Sequence, residues 1–303
     1  MADLLRGRVR NPAVLRSLLS DAQRRGQPLV LPGCYDALSA RLIEQAGFDA
    51  VYMTGFGTTA SLLGRPDVGL LGASEMIDNG RRIASAVDVP VVADADTGYG
   101  NEINVIRTVQ DYEFAGVSGI HLEDQVTPKK CGHMEGKEVI PSEQMVNKLR
   151  NATAARLDDD FVIIARTDAL APLGLDEALR RADAYATAGA DVLFVEALQT
   201  EAEIERVAKE FAGVPLLFNW SEGGKTPPLT YDTIAELGFA MIITPITTLL
   251  SAVEAMRSAL ATLHTTRTPA PFVDELMPFA TFTDLIGLPE VELLQRGEAP
   301  DAD

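Results

Sequence analysis

Eight short apolar segments constrain this chain more than any other feature. They fall at 28–31, 49–53, 89–94, 118–122, 161–165, 191–195, 214–218 and 240–244, and none alternates with polar residues. A strand with one wet face alternates, whereas one buried on both faces reads as a continuous apolar run. Between these segments lie stretches with helical apolar spacing. Gly47, Gly116, Gly189 and Gly238 each end such a stretch just before a strand, and Val89-Pro90 and Val214-Pro215 open two further strands. Eight strand–helix units in 303 residues predict a (β/α)8 TIM barrel. A doubly wound open sheet is the alternative, disfavoured because no Gly-x-Gly-x-x-Gly follows the first strand.

The expected organisation is a single barrel domain over 1–303. Residues 1–27 form an N-terminal arm and helix, with a loose arm over 1–10 and Asn11 capping a helix that has Pro12 in its first turn. A long glycine-punctuated stretch occupies 54–69, Ser142 is read as a helix cap, and Thr200 with Glu203 forms a capping box. Residues 264–303 form a C-terminal extension. Its apolar residues, including Phe272, Leu276, Met277 and Phe279, would pack on the barrel or on a partner subunit, and 297–303 would be disordered.

Composition narrows the functional classes. A 47% hydrophobic share supports a large core, yet no run of about 18 apolar residues could span a membrane. The first residues are basic and mildly amphipathic without an apolar signal core, so no secretory signal is read; an organellar transit peptide is the alternative. A net charge of −18 opposes binding to nucleic acid and to anionic membranes. It does not oppose an anionic substrate, because a metal and a few cations reverse the sign locally. Two cysteines, Cys34 and Cys131, make no disulfide framework and point to a reducing, cytoplasmic setting.

Active sites of such barrels lie where the strands finish. Asp94 and Asp96 follow the third strand, Glu123 and Asp124 the fourth, Arg166 and Asp168 the fifth, Glu196 the sixth and Asn219 the seventh. Converging carboxylates repel unless neutralised. A hard dication, Mg2+ or alternatively Mn2+, would do this; an ion-pair network with Arg166 and nearby lysines is the other solution. After Asp124 comes a polar loop, 125–141, with three lysines, Cys131 and His133. Lys129 and Lys130 directly before Cys131 would lower its pKa and make it a nucleophile or an acid/base; a solvated basic loop with an incidental thiol is the plainer reading. Metal, guanidinium and thiol-bearing loop together suit chemistry on a small 2-oxo or 2-hydroxy acid through an enolate-like intermediate.

Lys129-Lys-Cys-Gly-His133, Gly119-Ile-His-Leu-Glu-Asp-Gln125, Ala165-Arg-Thr-Asp-Ala-Leu170 and Asp94-Ala-Asp96-Thr-Gly resemble, in order and spacing from about 28 to 250, the isocitrate lyase / phosphoenolpyruvate mutase superfamily. The resemblance implies a (β/α)8 barrel whose final helix is swapped between subunits, in a homotetramer built from dimers. It implies Mg2+ held mainly through water by Asp67, Asp94, Asp96 and Glu123. Thr54, Gly55 and Phe56 would take the keto-acid part of a di- or tricarboxylate, Arg166 a carboxylate, and Tyr52 would stand by the developing oxyanion. Glu196 and Asn219 would line the second carboxylate's pocket, with Lys129, Gly132, His133 and Ser221 completing the site. Cys131 would protonate the carbanion left by C–C cleavage.

The short chain is unlike the longer isocitrate lyases, and the cysteine loop is unlike that of the phosphonopyruvate and oxaloacetate decarboxylase branches. The 2-methylisocitrate lyase, 2,3-dimethylmalate lyase, oxaloacetate hydrolase and carboxyphosphonoenolpyruvate mutase-like groups remain. Asn219-Trp-Ser-Glu-Gly-Gly favours the dimethylmalate lyase branch. Bulky Phe56 and Trp220 would reshape the pocket or simply pack in its wall. A substituted malate is therefore the expected substrate, and a P–C mutase or a non-catalytic binder the competing readings.

Overall fold

A computed structural model describes residues 11–298. The arm over 1–10, and the disorder expected over 299–303, lie outside these residues. The eight expected strands are present, at Leu29–Cys34 (β1), Val51–Met53 (β2), Val91–Asp94 (β3), Gly119–Glu123 (β4), Val162–Thr167 (β5), Val192–Val195 (β6), Leu217–Asn219 (β7) and Met241–Thr244 (β8). All pairings are parallel and follow chain order, with β1 beside β8. A parallel bridge from Leu193 to Leu216 joins β6 to β7 and closes the ring. Every strand but β1 and β7 is buried along its whole length, which is why the sequence does not alternate.

Two apolar cores result. One fills the barrel, with Leu31, Val92, Val162, Ile164, Val192 and Met241 among its members. The N-terminal helix, Pro12–Arg25, adds Leu15, Leu19 and Ala22 to this core; Leu15 lies close to Gly119 at the start of β4 and so plugs the end opposite the strand tips. The larger core lies between strands and outer helices, around Met53, Ile83, Tyr112, Phe161 and Tyr185. Gly47, Gly116, Gly189 and Gly238, which repeat before strands, all take φ between 87° and 104°. Side chains rarely adopt that left-handed turn, so a helix ends there and the chain enters the next strand.

Some local expectations needed correction. The glycine-rich stretch after β2 carries a helix, Gly55–Leu63, that its two early glycines disguise. Pro141, not Ser142, occupies the cap position of the helix Ser142–Ala155. Asn11 is at the expected cap position, but its side-chain amide donates to the Asp88 carbonyl. Thr200 and Glu203 do form the reciprocal capping box. The last barrel helix, Thr247–Thr266, buries only Leu249 and exposes Leu250, Val253, Met256, Leu260 and Leu263 along one face. Beyond it, short helices at Phe279–Leu285 and Leu288–Gln295 return to the barrel, where Arg41 Nη1 donates to the Leu285 carbonyl at 2.9 Å. Among the described residues no helix is long and apolar enough to cross a membrane.

Candidate active site

A cavity of about 250 Å³ opens at the carboxyl ends of the strands. Tyr52, Thr54, Phe56, Asp67, Asp94, Lys129, Cys131, Gly132, His133, Arg166, Glu196, Asn219 and Ser221 all line it. Asp96, Glu123 and Gly55 stand one layer behind. A Cβ on Gly55 would fall 2.3 Å from Asp94 Oδ2, so only glycine lets this helix start so near the carboxylate. Thr54 caps that helix by accepting from the Gly57 amide, and its first-turn amides open beside the cavity, an arrangement suited to an anion.

Acidic residues gather on one side. Lys129 Nζ lies 2.6 Å from Asp67 Oδ2 and 2.7 Å from Asp96 Oδ1. Asp94 Oδ1 accepts from the Asp96 amide and is 3.4 Å from His121 Nε2. Burial pushes the Asp96 carboxyl up to about 7; Lys129 opposes this, while Asp94 and Asp67 add repulsion. Glu123 is driven well above the carboxylate range by burial, against the pull of Arg166. Both Glu123 oxygens are buried without a hydrogen-bond partner, and Asp96 Oδ1 has only its ion pair. Buried carboxylates so placed are costly without a cation. Among the described residues, however, no three acidic, histidine or cysteine side chains converge closely enough to ligate one ion directly. The donor set therefore fits a dication reached largely through water, which is how Mg2+ usually binds.

Not every strand-end carboxylate faces the cavity. Asp124 turns away and accepts from Thr167, Tyr185, Arg181 and the Asp168 amide. Asp168 receives Arg166 Nε at 2.9 Å and Nη2 at 3.1 Å, together with Lys137 Nζ at 2.8 Å. To this extent the ion-pair alternative describes these two residues. Arg166 is thereby aimed along the cavity wall, with Glu123 and Glu196 3.4 and 3.9 Å from its Nε.

The loop 125–141 lies down over the cavity. Gln125 and Val139 form an antiparallel bridge at its base, and the Gln125 side chain both donates to and accepts from the Lys130 backbone. Nearer the tip, the Cys131 amide donates to the Asp67 carbonyl at 3.1 Å. His133 Nδ1 accepts from the Lys225 amide, which places its proton on Nε2, 3.0 Å from Glu196 Oε1. Burial disfavours the Glu196 anion, but Arg166 and this bond from His133 hold the carboxyl well below the usual range. Glu196 also accepts from Asn219 Nδ2.

The expectation that Lys129 and Lys130 depress the Cys131 pKa is overturned. Burial pushes the thiol up, and Asp67 and Glu196 add to this against a backbone bond at His133 and the Arg166 charge. Lys129 is committed to Asp67 and Asp96, and Lys130 turns away to the Gly136 carbonyl. The raised pKa keeps the Cys131 proton on sulfur at neutral pH. Of the two readings given for the bulky residues, packing holds for Trp220, whose indole donates to the Leu229 carbonyl and lies against the outer core, whereas Phe56 lines the cavity.

Sequence reasoning missed His121 and Lys137. The His121 Nε2 lies 2.7 Å from the Tyr52 hydroxyl, with the two rings stacked at 5.8 Å. His121 Nδ1 is buried without a partner, so a proton there would be stranded, whereas one on Nε2 is shared with Tyr52 and Asp94. Burial holds the imidazole neutral, with a pKa lowered to about 4. The Tyr52 phenol, raised well above 10 by burial, keeps its proton. His121 lay inside a quoted motif and Lys137 was counted among the loop's lysines. Only the third dimension shows what they touch.

The family model described as phosphoenolpyruvate phosphomutase matches residues 19–264. The 2,3-dimethylmalate lyase of Eubacterium barkeri is 45% identical over 287 residues, spanning 95% of this chain and 98% of its own. A probable 2-methylisocitrate lyase of Corynebacterium glutamicum is 43% identical over 84% of each chain. Among solved structures, a 2,3-dimethylmalate lyase superposes with a TM-score of 0.90 at 38% identity, over 98% of this chain and all of the other. A phosphonopyruvate hydrolase solved with oxalate and Mg2+ superposes with a TM-score of 0.86 at 34% identity, covering 95% and 99% of the two chains.

Proposed function

The chain belongs to the phosphoenolpyruvate phosphomutase family and is a carbon–carbon lyase of the isocitrate lyase/phosphoenolpyruvate mutase superfamily, and from that premise we propose that it cleaves a 2,3-dialkylated malate to a 2-oxo acid and a short carboxylic acid. For 2,3-dimethylmalate the products would be pyruvate and propionate. The observation that carries this reading is the mixed lining of the cavity. Arg166 and Lys129 bring cations, while Phe56, Met134, Ile243, Pro245 and Ile246 bring apolar surface. A malate backbone with alkyl branches matches both. A third carboxylate set against the apolar residues would be buried unpaired.

Asp67, Asp94, Asp96 and Glu123 would hold Mg2+ through water, and the ion would supply Lewis-acid polarisation of the substrate's C2 oxygen and carboxylate. Arg166 binds a carboxylate with the edge that Asp168 leaves open. The start of the helix Gly55–Leu63 takes the other oxygens, and Glu196, Asn219, His133 and Ser221 shape the far end. Tyr52, with His121 behind it, faces the C2 oxygen. As the C2–C3 bond breaks, the C2 hydroxyl gives up its proton to solvent and becomes the 2-oxo group, the electron pair of the broken bond moves to C3, and Cys131 Sγ delivers its proton there; solvent returns a proton to the thiolate once the products leave. The raised thiol pKa suits this step, because the proton is present at neutral pH.

Oligomerisation by exchange of the C-terminal helix belongs to the same reading and is supported by the exposed apolar face over Leu250, Val253, Met256, Leu260 and Leu263. Light scattering should give a tetramer, and Leu260→Lys should shift it towards smaller species. Free thiols at both cysteines agree with a cytoplasmic setting.

The activity test is 2-oxo acid release from 2,3-dimethylmalate, 2-ethyl-3-methylmalate, 2-methylisocitrate, isocitrate and oxaloacetate. Release from a dialkylated malate, abolished by EDTA, supports the proposal. Release from oxaloacetate alone would convert it to a hydrolase, and silence across the panel in protein that binds Mg2+ would refute it.

A further inference from the structure

Lys137 is the last of the loop's three lysines, and the lyase chemistry above does not use it. Its side chain is 1% exposed, rare for a lysine, and it does not line the cavity. Its Nζ donates to the carbonyl of Gly132, next to Cys131, and to Asp168 Oδ1 at 2.8 Å. The first bond folds the loop back on itself across the thiol-bearing turn. The second ties that turn to the tip of β5. Asp168 is itself fixed, because its amide donates to Asp124 and its carboxylate grips Arg166 through Nε and Nη2.

The loop's other ties differ in kind. Lys129 rests on Asp67 and Asp96, carboxylates that a dication would also claim. His133 rests on Glu196 inside the cavity. The Lys225–Glu135 pair is exposed, with Glu135 87% open to solvent, and such pairs contribute little. Among the described residues, only Lys137 joins the loop to the barrel through a buried ion pair outside both the cation site and the cavity wall.

We infer that Lys137 is a positioning residue: through Asp168 and the Gly132 carbonyl it latches the 125–141 loop shut, seats Cys131 against the cavity, and ties loop closure to the carboxylate that aims Arg166. When the loop lifts, Asp168 keeps Arg166 but loses Lys137. Breaking a buried ion pair from one side is strongly unfavourable, so the closed state is favoured.

The test is the rate at which iodoacetamide modifies Cys131, read by mass spectrometry on the full chain without substrate. Cys34, fully buried, is the internal reference. Lys137→Met keeps most of the length of the side chain and removes its charge. It should raise the Cys131 rate at least about tenfold, and Asp168→Asn should do the same from the other end. The double variant should be no faster than either single one, as members of one tie are not additive. Glu135→Gln should behave like the parent. With a turned-over diacid, Lys137→Met should lower kcat about 100-fold with little change in KM, while Asp168→Asn should also raise KM because Arg166 loses its guide. A folded Lys137→Met variant alkylated within about twofold of the parent overturns the latch, whatever its activity. If that variant does not fold, an unaccelerated Asp168→Asn overturns it instead. The kinetic arm rests on the lyase reading. The alkylation arm does not, so either can fail without the other.

Discussion

Gly132 sits where the loop touches the barrel, and adding one methyl group there should disable the site without unfolding the protein. A Cβ at Gly132 would stand 2.5 Å from Arg166 Nη2 and 2.6 Å from Glu196 Oε1. Carbon contacts are comfortable only near 3.5 Å, so the turn must retreat by roughly 1 Å. Neither neighbour can yield: Asp168 grips Arg166 by two nitrogens, and Glu196 is held by Asn219 and His133. A retreat of that size carries the adjacent Cys131 away from the carbon that it would protonate in the proposed reaction. Misplacement by about 1 Å costs on the order of 100-fold, or about 2.7 kcal/mol in the barrier. Gly132→Ala should therefore lower kcat about 100-fold while KM changes little, because the groups that bind the carboxylates stay in place. Pyruvate release coupled to NADH oxidation by lactate dehydrogenase reads both constants, and circular dichroism checks that the melting temperature is kept. A variant with kcat within about threefold of the parent would show that this seating of the loop is not the reactive one.

Three other outcomes follow from the same geometry. Cys131→Ser should lose about 10²–10⁴-fold in kcat with KM nearly unchanged, since a general acid is removed and no carboxylate contact is lost; an equal rise in KM would argue for a binding role. Mg2+ affinity by calorimetry should fall by up to about tenfold per pH unit below 7, because Asp96, with its pKa raised to about 7, must lose a proton to serve the ion; a flat profile from pH 5 to 8 would exclude Asp96 from the site. Asp124→Asn should cost about 3–5 kcal/mol in denaturant unfolding, because buried Arg181 would lose its buried carboxylate partner and keep only the half-exposed Glu177 carboxylate beside the Ile140 carbonyl; a loss below about 1 kcal/mol would mean the network relaxes.

The barrel was legible because its two physical signatures are local. Burial on both faces removes alternation, and left-handed helix ends select glycine at 47, 116, 189 and 238. The strand-end residues followed directly, since their position depends only on where an apolar run stops. What escaped depends on side-chain direction. Asp124 and Glu123 are neighbours in sequence, yet Glu123, the last residue of β4, faces the cation site and Asp124, just past the strand, faces the Arg181 network. Proximity in sequence suggested that Lys129 and Lys130 tune Cys131, but their ammonium groups end on Asp67, Asp96 and the Gly136 carbonyl. Bulk alone left Trp220 open to either reshaping the pocket or packing, and its indole ends on the Leu229 carbonyl. His121 and Lys137 carried no signal beyond their type, since their partners lie 69 and 31 residues away.

Whether this barrel cleaves a malate branched by alkyl groups is decided by kcat/KM for 2,3-dimethylmalate against 2-methylisocitrate in the same Mg2+ buffer. The second substrate carries a carboxymethyl group where the first has a methyl. Set against Phe56, Met134, Ile243, Pro245 and Ile246, that charge would find no partner. A preference for 2,3-dimethylmalate of at least about 100-fold is expected. Equal constants, or a preference for 2-methylisocitrate, would overturn the dialkylated-malate reading.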